Sequence, residues 1–195
     1  MCEIISVRKI QRRIIMTTTK KITLCSLFAA LIAIGTHIKI PTPLLPLTFQ
    51  TLFVAMSGLV LGRKLGALSV CVYVIAGLVG LPVFTGSALN PTFGYILGFI
   101  PGAWLAGYIA ERFAPKFMTW TLGAVAAIAL IYAAGIPYYY IMSKYYLGNE
   151  LGAKTLLMYF VLMPIPGDIA KSILAGLAVQ RLAIFFPESF TWKRS

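Results

Sequence analysis

Apolar runs of about twenty residues recur along this chain, and they constrain its fold more than any other feature. Between Ile22 and Leu182 the ionisable residues form short clusters separated by long uncharged stretches. About 20 apolar residues are needed for a helix to cross the hydrocarbon core of a bilayer. Of 195 residues, 59% are hydrophobic and 11% charged, a balance that excludes an ordinary soluble domain. The sequence therefore predicts an all-α membrane protein that crosses the cell membrane several times.

The apolar runs predict six transmembrane helices. Their expected bounds are Ile22–Ile38, Leu47–Gly62, Leu65–Leu81, Phe93–Ala110, Phe117–Ile136 and Ile165–Phe185.

The distribution of basic residues predicts the orientation. With the N-terminus inside, thirteen of the 17 Lys and Arg residues fall on the cytoplasmic side, Lys39, Lys144 and Lys154 fall outside, and Lys171 falls within the membrane. Cytoplasmic segments carry an excess of Lys and Arg, so both termini are expected in the cytoplasm. The net charge of +12 then reflects topology and attraction to anionic membrane lipid, and nucleic-acid binding is not expected.

The external connections are expected to be longer and more complex in structure than the inside connections. They run from Lys39 to Gln50, Leu81 to Tyr95 and Pro137 to Lys154, and they are rich in Pro, Gly and aromatic residues. Non-helical backbone near a membrane has to be buried in protein or to line a cavity. The inside connections, by contrast, are minimal, so a ligand is expected to arrive from outside.

The domain organisation predicted is a single six-helix unit over residues 17–195. Residues 1–16 could form a basic amphipathic helix on the membrane surface. Because Met16 opens a natural first spanning segment, we interpret residues 1–16 as an N-terminal extension instead.

Asp168 and Lys171 are an acid and a base inside an apolar stretch. Thr155 to Phe185 would span about 46 Å as one helix, which is too long for a core of about 30 Å. Pro164, Pro166 and Gly167 therefore predict a break and a helix start near Ile165 or Pro166. Asp168 then lies in the first turn, where the helix dipole favours an anion, and Lys171 follows on nearly the same face. The pair is either an internal ion pair that locks helices together or a site for a small polar group.

Catalytic and energy-supplying motifs are absent from the sequence. There is no HExxH, GxSxG or Cys/His/Asp cluster, and His37 is the only histidine. We therefore expect no metal, no cofactor and no enzyme activity. The P-loop pattern GxxxxGK[ST] is also missing, so uptake against a gradient would need an ATP-hydrolysing partner.

Two pairs of small residues mark the first helix as a candidate docking surface. SLFAALIA contains Ser26 and Ala30 in one pair and Ala29 and Ala33 in the other, each four residues apart. Small side chains let two helices approach closely. Packing inside the same bundle is the alternative use of this pattern.

Several motifs resemble the BioY family, the biotin-binding S-components of energy-coupling-factor transporters. The matching segments are PLLPLTFQ (43–50), GLVGLPVF (77–84), NPTFGYILGF (90–99) and PIPGDIAKSILA (164–175). The resemblance implies six helices, biotin captured from outside, and energy from a coupling protein with two ATPases. It also implies that the first helix docks on the coupling protein, which assigns Ala29 and Ala33 to that contact. Asn90 and Phe93 are larger than the family's usual residues at their positions, and the N-terminus is longer.

The resemblance implies a set of ligand-binding residues. They are Asp168, Lys171, Asn90, Tyr95, Gln50, Phe84, Phe93 and Thr92. In the preferred pose Asp168 accepts a hydrogen bond from a ureido N–H of biotin and Lys171 donates to its carbonyl, while Phe84, Phe93 and Tyr95 pack the ring body. In the alternative pose Lys171 pairs with the carboxylate tail. The alternative functions are an S-component for another vitamin, or a stand-alone small-molecule transporter or membrane enzyme.

Overall fold

The computed structural model describes residues 18–40, 47–84, 92–146, 148, 152, 155, 158–185 and 190. Residues 1–16, the predicted extension, lie outside this set. In chain order the elements are α1 (Thr18–His37), β1 (Lys39–Ile40), β2 (Leu47–Thr48), α2 (Gln50–Leu78), α3 (Phe93–Arg112), α4 (Phe117–Tyr145), a π-helical segment (Met158–Leu162) and α5 (Ile165–Phe185).

The described residues form a helical fold, and five of its segments within these ranges are long and apolar enough to cross a membrane. They are α1, α2, α3, α4 and the segment Met158–Phe185. Large apolar side chains such as Ile75, Leu122 and Leu68 are exposed on the outside of the bundle. An apolar outer surface of this extent suits contact with lipid. The predicted multi-pass membrane protein is confirmed at this level.

The predicted spans Leu47–Gly62 and Leu65–Leu81 correspond largely to the two halves of α2, although Leu47 and Thr48 form β2 and Leu81 lies beyond the helix. α2 turns back on itself at Gly62. Gly62 has φ 79° and ψ 175°, a conformation that is essentially restricted to glycine. A straight 29-residue helix would be about 43 Å long, yet Gln50 and Tyr73 are joined by a hydrogen bond of 2.5 Å. A Cβ atom on Gly66 would lie 2.6 Å from the Cα atom of Gly58. The two halves of α2 therefore pack side by side, with glycine at their closest approach.

The turn at Gly62 is fastened to the end of α3. The backbone N–H of Arg63 donates to Glu111 Oε1 at 2.8 Å, and the Arg63 guanidinium Nε lies 3.1 Å from Glu111 Oε2. Glu111 thus stabilises the short connection at Arg63.

The prediction that α4 ends at Ile136 is wrong, because the helix continues to Tyr145. Proline removes one backbone donor, and in membrane helices neighbouring groups compensate for that loss. Beyond Pro137 the helix is held by packing, since Tyr139 is buried with its ring centroid 4.2 Å from that of Phe160. Part of the segment predicted as an external loop is therefore helical.

The break before the last helix lies where the prolines predict it. Met158–Leu162 form a π-helical segment, and α5 begins at Ile165 and ends at Phe185, the predicted bounds. On the same side of the fold, β1 and β2 pair antiparallel, with Lys39 opposite Thr48 and Ile40 opposite Leu47. This small sheet was not predicted. It delivers the chain to Gln50 at the start of α2.

Candidate functional site

A cavity opens where the starts of α2, α3 and α5 meet α4. Its volume is about 80 Å³, room for more than a single water molecule. Its described lining residues are Leu47, Thr48, Gln50, Thr51, Thr92, Tyr95, Ile96, Phe99, Tyr132, Pro164, Asp168 and Lys171. The wall combines apolar side chains with directed polar groups, an arrangement typical of a small-molecule site.

Asp168 and Lys171 form an ion pair on the wall of this cavity. Both residues are buried, at 5% and 7% exposed. Asp168 lies in the first turn of α5, and its own backbone N–H donates to the Pro164 carbonyl at 2.9 Å. The prolines therefore place the carboxylate at a helix start, where the dipole stabilises its charge.

Each charge of the pair also has a partner from another element. The Tyr132 hydroxyl of α4 donates a hydrogen bond to Asp168 Oδ2. The Lys171 ammonium donates to Thr51 Oγ1 at 2.9 Å and to the Thr48 carbonyl at 3.1 Å. Because ionised groups make stronger hydrogen bonds than neutral ones, these contacts fix both side chains in place. The result is an acceptor and a donor held side by side.

Five of the eight predicted ligand-binding residues line the cavity. They are Gln50, Thr92, Tyr95, Asp168 and Lys171. Asn90 lies outside the described residues. Phe84 and Phe93 are not among the described lining residues, so the structure does not bring them into the cavity wall. They form an aromatic row instead, with ring centroids 6.0 Å apart and Phe84 5.3 Å from Tyr73.

Tyr95 presents an unpartnered hydroxyl group. The residue is 7% exposed, and its oxygen has no hydrogen-bond partner among the described residues. Its ring lies directly over Gly135, where a Cβ atom would overlap it. A buried hydroxyl without a partner costs about 1–3 kcal/mol. A ligand group that displaced the atoms covering this oxygen would recover this energy.

Sequence reasoning missed Thr48, Thr51 and Tyr132. No spacing rule connects Tyr132 to Asp168, because they are 36 residues apart on different helices. Thr51 lies next to the predicted Gln50, and a threonine that close to a predicted site residue was the available signal. Tyr132 stands in an apolar run, where a lone tyrosine is easily interpreted as a packing residue.

The two residues of the predicted docking pair, Ala29 and Ala33, differ in burial. Ala29 is buried in a core cluster with Tyr73 and Phe99, while Ala33 is half-buried against that cluster. Ser26 and Ala30 are exposed on the same helix. Ala29 therefore packs inside the bundle, and the small residues that reach the outer surface are Ser26, Ala30 and part of Ala33.

The chain is similar to known biotin transporters along most of its length. It is 35% identical over 171 residues to the probable biotin transporter BioY of Lysinibacillus sphaericus. This alignment covers 85% of this chain and 87% of the relative. It is 36% identical over 162 residues to the biotin transporter BioY of Thermotoga maritima, and this alignment covers 80% of this chain and 91% of that relative.

A solved structure has the same fold. The crystal structure at 2.1 Å of the S-component for biotin from an ECF-type ABC transporter superposes with a TM-score of 0.77. The match is 26% identical and covers 88% of this chain and 96% of that chain. Residues 8–188 match the sequence model of the BioY family. With relatives above 30% identity over most of both chains, this protein belongs to the BioY family.

Proposed function

We propose that this chain is a membrane-embedded subunit that captures biotin from outside the cell for uptake by an ATP-driven transporter. The buried pair of Asp168 and Lys171 on a cavity wall carries this proposal. Placing charges inside a membrane protein costs at least about 2.5–3.5 kcal/mol each by insertion scales. A polar ligand that uses both groups accounts for that cost, and the similarity to biotin transporters favours biotin as the ligand.

The proposed pose sets the ureido ring of biotin against the ion pair. A ureido N–H donates to the Asp168 carboxylate, and the Lys171 ammonium donates to the ureido carbonyl. Thr51 and Tyr132 hold Lys171 and Asp168 in the positions that this contact needs. The apolar rings of Phe99 and Tyr95, which line the cavity, pack the body of the ligand.

Further contacts are proposed for the other predicted residues. Gln50 and Thr92 line the cavity and add polar contacts. Asn90 adds a donor and an acceptor from the connection before α3. Phe84 and Phe93 stabilise the cavity wall indirectly. They form an aromatic row with Tyr73, which is hydrogen-bonded to Gln50 in the wall.

We further propose six membrane crossings with both termini in the cytoplasm. The hydrogen bond between Gln50 and Tyr73 supports separate crossings by the two halves of α2. The excess of Lys and Arg at the Gly62 end of the bundle, as at Arg63, Lys64 and Arg112, supports the orientation. The cavity then opens toward the outside, at the opposite end.

The proposed partners are a transmembrane coupling protein and two ATPase subunits, with lipid around the bundle. The protein in the similar crystal structure is the S-component of an ECF-type ABC transporter, and this sequence has no P-loop motif. The outward small residues Ser26, Ala30 and Ala33 of α1 form the proposed contact with the coupling protein, since a small-residue face lets another helix approach.

Ligand binding by the purified chain tests the function. In detergent, without ATP or ions, the protein should bind biotin saturably, and riboflavin and thiamine should not displace it. Displacement by either competitor would identify an S-component for another vitamin. Absence of saturable biotin binding at micromolar ligand would refute the biotin assignment.

A further inference from the structure

The Tyr73 hydroxyl joins the cavity wall to the segment that follows α2. Gln50, which lines the cavity, donates through Nε2 to the Tyr73 hydroxyl at 2.5 Å. The Tyr73 hydroxyl in turn donates to the Val83 carbonyl at 3.2 Å. Tyr73 is 1% exposed and Gln50 6%. These two bonds therefore form a buried chain of donors that runs from the cavity outward.

The direction of this chain fixes the orientation of the Gln50 amide. A carbonyl oxygen can only accept, so the single proton of Tyr73 is directed to Val83. Gln50 then has to offer its NH₂ group to Tyr73. The nearby Thr36 hydroxyl, 3.3 Å from Tyr73, already donates to the Ile32 carbonyl at 3.0 Å. Reversing the amide would draw the Tyr73 proton to Gln50 and deprive Val83 of this donor.

We propose that Tyr73 is a positioning residue that turns the carbonyl oxygen of Gln50 toward the ligand. The cavity then favours a ligand with an N–H at this point and rejects one with an acceptor there. This inference rests on the proposed function and deepens it, because the ureido ring of biotin carries two N–H groups. A buried site built to hydrogen-bond one group discriminates strongly against an analogue that leaves it unpaired.

The ring of Tyr73 is held independently of its hydroxyl. Phe84 meets it edge to face, with centroids 5.3 Å apart and an interplanar angle of 72°. Phe84 itself lies directly on Gly77, where any Cβ atom would overlap its ring. These contacts need only the aromatic ring, so Tyr73→Phe removes the hydrogen bonds and keeps the packing.

The test compares biotin with its two cyclic carbamate analogues, in each of which one ureido N–H is replaced by an oxygen atom. The measured quantity is the affinity for biotin divided by that for each analogue, in detergent. In the unmodified protein this ratio should be large for the analogue whose oxygen faces Gln50. In Tyr73→Phe the amide is free to turn and donate, so the ratio should fall by at least ~10-fold. In Tyr139→Phe, a matched buried tyrosine outside the described cavity lining, it should not change.

An unchanged ratio in Tyr73→Phe would overturn the inference, even if both affinities fell together, because a purely structural role weakens the ligands alike. Gln50→Leu provides a second test that does not depend on the folding of the first variant. It removes the amide, so the ratio must fall there too, and an unchanged ratio would again overturn the inference. Failure of the unmodified protein to bind biotin would instead overturn the proposed function, so the two failures are distinguishable.

Discussion

Tyr132 in the middle of α4 donates a hydrogen bond to the Asp168 carboxylate in the first turn of α5. The bond links two helices at the cavity and leaves Asp168 with one oxygen on Tyr132 and the other facing Lys171. Asp168 is thereby held in one rotamer before any ligand arrives. Because the Asp168 side chain is already ordered, ligand binding loses little free energy to ordering it.

Tyr132→Phe should weaken biotin binding roughly 10-fold while the protein stays folded. The change removes one hydrogen bond to a charged group, which is worth about 1.5–3 kcal/mol, and part of that loss is recovered by the ligand. Titration calorimetry in detergent measures it. Tyr108→Phe is the control, since Tyr108 is exposed and stacked on Trp104. Equal affinities in the two variants would show that the Tyr132 bond does not position Asp168 for the ligand.

Tyr95→Phe should lower biotin affinity without lowering the stability of the ligand-free protein. Because the Tyr95 hydroxyl has no partner among the described residues, removing it should leave the melting temperature of the ligand-free protein unchanged or raise it. The ligand loses a hydrogen bond, so biotin affinity should fall about 5- to 10-fold. Thermal unfolding with and without biotin measures both effects. A lowered melting temperature with normal affinity would assign the hydroxyl a structural role.

Gly66→Val should destabilise the hairpin in α2. A Cβ atom at Gly66 would lie 2.6 Å from the Gly58 Cα atom, and overpacking of this kind costs about 1–3 kcal/mol or more. The melting temperature in detergent should fall, and so should biotin affinity, because the hairpin brings Tyr73 to Gln50. Gly152→Val, where no described atom lies within 4 Å, should leave both unchanged. A stable Gly66→Val protein would contradict the close packing of the two halves.

Local sequence signals predicted the helices well where a single residue decides the backbone. Pro164, Pro166 and Gly167 placed the start of α5, and the apolar run from Phe93 placed α3. The predicted end of α4 at Ile136 was wrong because the packing of Tyr139 against Phe160, which accompanies the helix past Pro137, comes from a distant segment. The same limit applies to the site. Asp168 and Lys171 stand out as charges in an apolar run, but their partners Tyr132 and Thr51 are neutral and come from other helices.

Ala30→Trp should leave biotin binding by the isolated subunit intact and abolish ATP-driven uptake. Ala30 is exposed on α1, so a large side chain there blocks a helix contact without entering the core. Ala29→Trp should instead lower stability, since Ala29 is buried. Uptake of labelled biotin and co-purification with the coupling module are the measurements. Leu122→Trp, on an exposed part of α4, is the control. Normal uptake by Ala30→Trp would place the docking surface elsewhere.

The most direct test of the account is a biotin titration of the Asp168→Asn and Lys171→Met proteins in detergent. Both should insert and remain monodisperse. Each should bind biotin more weakly by more than ~2 kcal/mol, about 30-fold, because the surviving charge is left buried with neither its partner nor a fully matched ligand. Lys116→Met, at an exposed position, should bind normally. Unchanged affinity in both site variants would contradict the account and leave Asp168 and Lys171 as a structural ion pair.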